Sequence, residues 1–193
     1  FYDDNQNLYT RAGTFPIRDE PYSLTTNCRN TAPIHTTSYK YYKGVPVSAP
    51  DIQGDEVQFD ESPGQDPQAS KINFRIVDLI AKQKVAPEDI TVLIADSLNK
   101  AECFSRLEKI PLPKPAKWLK GGVSGKKNTV LIETIQRFKG LESSIVIIWG
   151  LDTIDLSQSQ ELLYVGMSRA KSLLIIVGRK ATCEEIKAFD RLA

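Results

Sequence analysis

Two segments of this 193-residue chain combine glycine, carboxylate and arginine in a way that suits a phosphate-bearing ligand. The first, Thr134-Ile-Gln-Arg-Phe-Lys-Gly-Leu-Glu142, lies between the apolar runs Thr129–Glu133 and Ser144–Trp149. With those runs as strands of a parallel sheet, the segment falls at the carboxyl edge, where open α/β folds bind ligands. Gly140 there lets the backbone approach a phosphate or a ribose, and Glu142 can accept from sugar hydroxyls. A plain β-α turn carrying a solvated charge run is the competing reading. The second segment, Glu161-Leu-Leu-Tyr-Val-Gly-Met-Ser-Arg-Ala-Lys171, reads as a helix that packs through Leu162, Val165 and Met167 and carries Arg169 near its end. A cation at that end complements the helix dipole, so a structural arginine is one reading. The other is an arginine at a domain edge that reaches a nucleotide on a neighbouring domain and neutralises charge during phosphoryl transfer.

A third segment, Gly121–Lys127, is glycine- and lysine-rich but does not make a phosphate loop. The pattern G-x-x-x-x-G-K-[ST] needs a glycine where Lys120 stands and a hydroxyl where Lys127 stands. A flexible basic loop is expected instead.

The elements that must position these residues alternate. A short strand at Tyr22–Thr26 leads into a helix that Asn30 or Thr31 can cap and that runs to about Tyr42, with Pro33 tolerated in its first turn. Residues 43–66 are rich in Pro, Gly and Asp and read as loop, with room for one strand around Glu56–Phe59. Ile72, Ile76, Leu79 and Ile80 recur at helical spacing within residues 66–84. Ile90–Ala95 is a continuous apolar run, the pattern of a buried parallel strand, and a helix over Ser97–Ile110 follows. Residues 111–127 hold three prolines and several lysines and read as a linker or long loop. Beyond them come strands at 129–133, 144–149 and 173–177, with helices over about 158–170 and 182–192. Strands apolar along their whole length and alternating with helices predict an α/β fold, a parallel sheet with helices on both faces.

Composition narrows the class. A net charge of +1 gives no strong overall field, so phosphate contacts must come from local placement of Arg and Lys. Cys28, Cys103 and Cys183 are odd in number and far apart, which supports neither a zinc site nor a disulfide framework and fits a reducing, cytoplasmic setting. No apolar run approaches the length of a membrane span, and no membrane partner is expected.

Together the two chemistry-bearing segments resemble motifs V and VI of UvrD/Rep-type superfamily 1 DNA helicases. "TIQRFKGLESSIVII" is similar to that family's T-x-H-x-x-K-G-L-E and the strand after it. "LLYVGMSRAKSLLIIVG" is similar to L-x-Y-V-A-x-T-R-A and the strand that ends the core. "LTTNCRNT", residues 24–31, resembles motif IV, commonly N-Y-R-[SN]-T. "DDNQNLY", residues 3–9, resembles the end of motif III, and residues 89–109 resemble the strand and helix after motif IV. The matches keep the family's order and cover nearly the whole chain.

The resemblance implies a second RecA-like ATPase domain, spanning residues 21–193, with residues 1–20 as the end of motif III and the interdomain connection. Residues 111–127 would stand where larger members insert a subdomain, which makes this a compact form. Residue by residue, Gln6 would sense the γ-phosphate, Arg29 and Arg169 would reach it, and Gly140 and Glu142 would lie by the ribose. Thr134 and Gln136 would face single-stranded DNA. Cys28 stands where the family usually has a tyrosine that stacks on adenine, and Gln136 replaces the usual histidine. The implied cofactors are ATP and Mg²⁺, bound mainly by a first RecA-like domain that carries the phosphate loop and the acidic metal-binding pair. That domain, N-terminal to Phe1, and single-stranded DNA are the expected partners. A non-catalytic nucleic-acid or protein-binding module on the same scaffold is the alternative.

Overall fold

The computed structural model describes residues 25–44, 46–122 and 124–189. Gln6, the motif III segment and the first part of the strand expected at Tyr22 lie outside the described residues. Within them, strands β1 (Gln58–Glu61), β2 (Ile90–Ile94), β3 (Lys117–Lys120), β4 (Thr129–Thr134), β5 (Ser143–Trp149) and β6 (Ala170–Gly178) form one sheet. Its order is β1-β6-β5-β2-β4-β3, and every neighbouring pair is parallel.

The alternation of side chains along each strand divides the core in two. Ile90, Val92 and Ile94 of β2 pack with Val130, Ile132, Ile147 and Trp149 beneath α2 (Gln65–Ala81) and α3 (Lys100–Glu108). Leu93 and Ala95 point the other way, with Leu131, Val146, Ile148 and Leu174, towards α1 (Ala32–Tyr39), α4 (Gln160–Met167) and α5 (Lys180–Ala188). Both faces are covered, which is why the strands read as unbroken apolar runs. Burying each such side chain contributes roughly 1.5–3 kcal/mol.

Two connections depart from the expected pattern. Residues 111–127 are not all loop, because β3 forms within them and closes one edge of the sheet. Trp118 is half-buried there, and its Nε1 donates to the Ile110 carbonyl at 2.8 Å. The strand is short and bears a lysine at each end, a composition that blunts an exposed edge. Gly125–Lys127 is followed by strand β4 rather than a helix, so the segment lacks the helix N-terminus that a phosphate loop uses. From β4 to β5 the chain crosses in residues 135–142 without any helix. Ile135 and Phe138, both fully buried, fill the core where a crossover helix would normally pack.

The connections after β2 and β5 leave on opposite faces, which makes this neighbouring pair the topological switch point. Asp96 closes that crevice. Its carboxylate accepts from the backbone N–H groups of Leu98 (3.0 Å) and Asn99 (3.2 Å), from Asn99 Nδ2 (2.6 Å) and from Thr153 Oγ1 (2.6 Å). Burial alone would raise the Asp96 carboxyl, but these hydrogen bonds outweigh it and hold the group below its usual range.

Candidate functional site

The loop of residues 27–31 is built around one carboxamide. Asn27 Oδ1 accepts from the backbone N–H of Arg29 at 2.9 Å and of Asn30 at 3.5 Å, while Nδ2 donates to Asn30 Oδ1 at 2.8 Å. Nδ2 also donates to Nδ1 of His35 at 2.9 Å, which requires that ring nitrogen to be an unprotonated acceptor. His35 is buried, and desolvation lowers its pKa, which favours that neutral form. Backbone bonds hold the loop from outside: Asn27 N–H to Ser48 O at 3.0 Å and Ala32 N–H to Ile52 O at 2.8 Å. Of the strand expected to end at Thr26, the described part is a single parallel bridge between Thr26 and Ser48.

This loop is clamped onto the turn between α4 and β6. Asn30 Nδ2 donates to Ser168 O at 3.1 Å and to Ala170 O at 2.6 Å, and Thr31 N–H donates to Lys171 O at 3.2 Å. The clamp brings Arg29 to the residues just before β5. Its Nε lies 3.2 Å from Glu142 Oε2, and Lys171 Nζ lies 3.4 Å from Glu142 Oε1. The three side chains are about equally open to solvent, at 42%, 45% and 45% for Arg29, Glu142 and Lys171. Cys28, next to Arg29, is exposed.

Arg169 is placed differently: it is only 1% exposed. Nε donates to Val165 O at 3.0 Å, one terminal nitrogen to Leu141 O at 3.3 Å and the other to Ser168 Oγ at 3.1 Å. The side chain therefore braces the end of α4 against the residue that precedes Glu142. Its own carbonyl accepts from Ser143 N–H at 3.0 Å, which fixes the start of β5.

The segment 134–142 does not lie wholly at the carboxyl edge of the sheet. Thr134 ends β4 at that edge, but the chain crosses the sheet, so Gly140 and Glu142 sit at the amino edge beside Arg29 and Arg169. Gly140 has φ +87, and an added Cβ would meet nothing within 4 Å, so the backbone conformation demands glycine there rather than a close neighbour. At the opposite edge Thr134 is buried, with its hydroxyl facing Arg137 N–H at 3.4 Å. Gln136 is half-buried, and its Oε1 has no hydrogen-bond partner. Among the described residues, those expected near nucleotide thus gather at one edge, and those expected near nucleic acid gather at the other.

Two contributors were not singled out from sequence: Asn27, which organises the loop, and Lys171, which shares Glu142. Of the two candidate caps of α1, Thr31 takes the position without a side-chain cap hydrogen bond, and Asn30 directs its amide to Ser168 and Ala170 instead.

The crossover and the strands around it also carry a family's sequence pattern. Residues 129–177 match the UvrD-like helicase C-terminal domain. This UvrD-like segment runs from β4 into β6 and holds Thr134, Gln136, Gly140, Glu142, Arg169 and Lys171, while Cys28 and Arg29 precede it. The fold is that of a solved helicase C-terminal domain. The structure of the C-terminal domain of a possible DNA helicase from Lactobacillus plantarum WCFS1 superposes with a TM-score of 0.63 at 19% identity, over 85% of this chain and 94% of that one. An arterivirus nonstructural protein 10 helicase in complex with DNA aligns at a TM-score of 0.35 and 13% identity, over 75% of this chain and 40% of that one, too distant to bear on the site. No curated protein matches the chain.

Proposed function

We propose that this chain is the second RecA-like motor domain of an ATP-dependent DNA helicase or translocase, and that it completes a nucleotide site built mainly on a first RecA-like domain. The observation that carries the reading is the convergence of Arg29, Glu142, Lys171 and Arg169 at one edge of the UvrD-like fold. ATP with Mg²⁺ would supply the phosphoryl group and its counter-charge. Arg29 fits a polyphosphate because its guanidinium is half-exposed at the domain surface. Among the described residues no group of three or more His, Cys, Asp or Glu could hold a metal ion, so the ion's ligands are assigned to the other domain. Arg169 reaches a phosphate only by leaving the carbonyls of Val165 and Leu141, which makes it the arginine that domain closure must release. Glu142 would accept from the ribose beside Gly140. Thr134 and Gln136, at the far edge, are assigned to single-stranded DNA on the resemblance of their segment to motif V. Cytoplasmic residence belongs to the same reading and is supported by the three cysteines, odd in number and far apart in sequence.

The test is hydrolysis. The 193-residue chain alone should show no DNA-stimulated ATPase activity, because phosphoryl transfer needs the phosphate and metal ligands of the partner domain. Joined to that domain it should hydrolyse ATP, and Arg29→Ala should lower kcat. Turnover by the chain alone would refute a divided site. DNA binding without hydrolysis in the joined protein would favour the non-catalytic module.

A further inference from the structure

Glu142 is shared by two cations that come from different parts of the chain. Arg29 reaches its Oε2 from the loop before α1, and Lys171 reaches its Oε1 from β6. We infer that Glu142 is a latch for Arg29: the carboxylate occupies the guanidinium until a polyphosphate displaces it, and Lys171 then keeps Glu142 in place. This rests on the nucleotide reading and goes beyond it, since it gives Glu142 a role before any ribose arrives and gives Lys171 a role of its own.

The geometry makes the exchange cheap in one direction only. Arg29 and Glu142 are about half-exposed, and such ion pairs contribute little and are screened by salt. A polyphosphate offers more charge than one carboxylate, and oxygens spaced for a bidentate guanidinium contact. Arg29 is anchored by its backbone, through the Asn27 carboxamide, so its side chain can turn without disturbing the loop. Lys171 lies within β6, and its carbonyl is held by Thr31 N–H, so its backbone cannot follow Arg29 outward. Glu142 released by Arg29 therefore keeps one counter-ion. It is not left as a bare carboxylate beside incoming phosphates, where like charges would repel.

The experiment uses the 193-residue chain and sodium tripolyphosphate at fixed ionic strength, with binding followed by isothermal titration calorimetry in every background. Glu142→Gln should tighten the apparent Kd by roughly three- to fivefold, the range open to a half-exposed ion pair. The gain must vanish in the Arg29→Gln background, because a general effect of removing one negative charge would persist there. Lys171→Gln should weaken binding in the wild-type background and have no effect once Glu142 is Gln. Unchanged affinity in Glu142→Gln, a gain that survives Arg29→Gln, or a Lys171→Gln effect that persists without Glu142 would each overturn the latch. If Arg29→Ala abolishes hydrolysis in the joined protein while Glu142→Gln leaves affinity unchanged, the latch alone fails. If Arg29→Ala hydrolyses normally, the nucleotide reading fails instead.

Discussion

Asn30 straddles Arg169: one amide nitrogen donates to the carbonyls on either side of the arginine, Ser168 O at 3.1 Å and Ala170 O at 2.6 Å. The backbone around Arg169 is thus held from a loop almost 140 residues away, while the arginine's own side chain points inward to Val165 and Leu141. Clamp and brace act on the same turn from opposite sides.

Removing the clamp should therefore be costly. Asn30→Ala leaves two buried carbonyls without a partner, and we expect a loss of about 1–3 kcal/mol in urea unfolding. Asn30→Asp should be worse, since it sets a carboxylate against those two oxygens. Unfolding midpoints equal to wild type in both variants would show that water replaces the amide without loss.

Arg169 should matter to the fold as well as to turnover. Arg169→Ala empties a fully buried site and strands two carbonyls, so the chain alone should lose about 2–4 kcal/mol. In the protein joined to its first domain, the same change should lower kcat while leaving DNA binding largely intact, and Arg169→Lys should rescue poorly for lack of the planar fork. Stability unchanged by Arg169→Ala would remove the brace, and turnover unchanged would remove the catalytic assignment.

Acid should loosen the 27–31 loop through His35. Its folded pKa is lowered by desolvation, so the unfolded chain takes up the proton first as pH falls below the ordinary 6.5. The His35 contribution is complete above that value and declines beneath it, towards the folded pKa. A protonated Nδ1 would also face the Asn27 Nδ2 donor at 2.9 Å. Melting temperature should fall from pH 7 to 5.5 in wild type and fall less in His35→Gln. Parallel curves for the two proteins would exclude His35 as the cause.

Nucleotide choice should be loose, because Cys28 replaces the tyrosine that stacks on adenine in the resembling family. GTP or CTP should be hydrolysed by the joined protein within about tenfold of ATP, a factor equal to roughly 1.4 kcal/mol. Cys28 is exposed, so the ring of Cys28→Tyr has room, and that change should sharpen the preference for ATP. Steady-state kinetics with four nucleotides decides it. A strict ATP requirement, unaltered by Cys28→Tyr, would leave Cys28 without a role at the base.

The parallel sheet was legible because β2, β4, β5 and β6 are buried on both faces and read as apolar runs. β3 was not: Lys117 and Lys120 flank only Trp118 and Leu119, and an edge strand has little core to record. The glycine and the charges of 134–142 marked a site, but not which edge each would occupy. A helix-free crossover that carries Glu142 back across the sheet depends on Ile135 and Phe138 filling the core, a tertiary fact. Asn30 was opaque for a related reason: its side chain is an ordinary turn former until partners distant in sequence, at Ser168 and Ala170, occupy its amide.

β6 is the last strand among the described residues, yet it lies between β1 and β5. During synthesis, β1 waits without a neighbour until residues 170–178 leave the ribosome, and the 27–31 loop waits with it, because Asn30 and Thr31 bond to residues 168–171. Until then β5 presents an open edge beside fully apolar side chains, the kind of surface on which nascent chains stick to one another. Folding of this domain is therefore a closing step: Arg29 meets Glu142 and Lys171 only when β6 slides in between β1 and β5, and a polypeptide halted before β6 would be a client for chaperones rather than a smaller version of the domain.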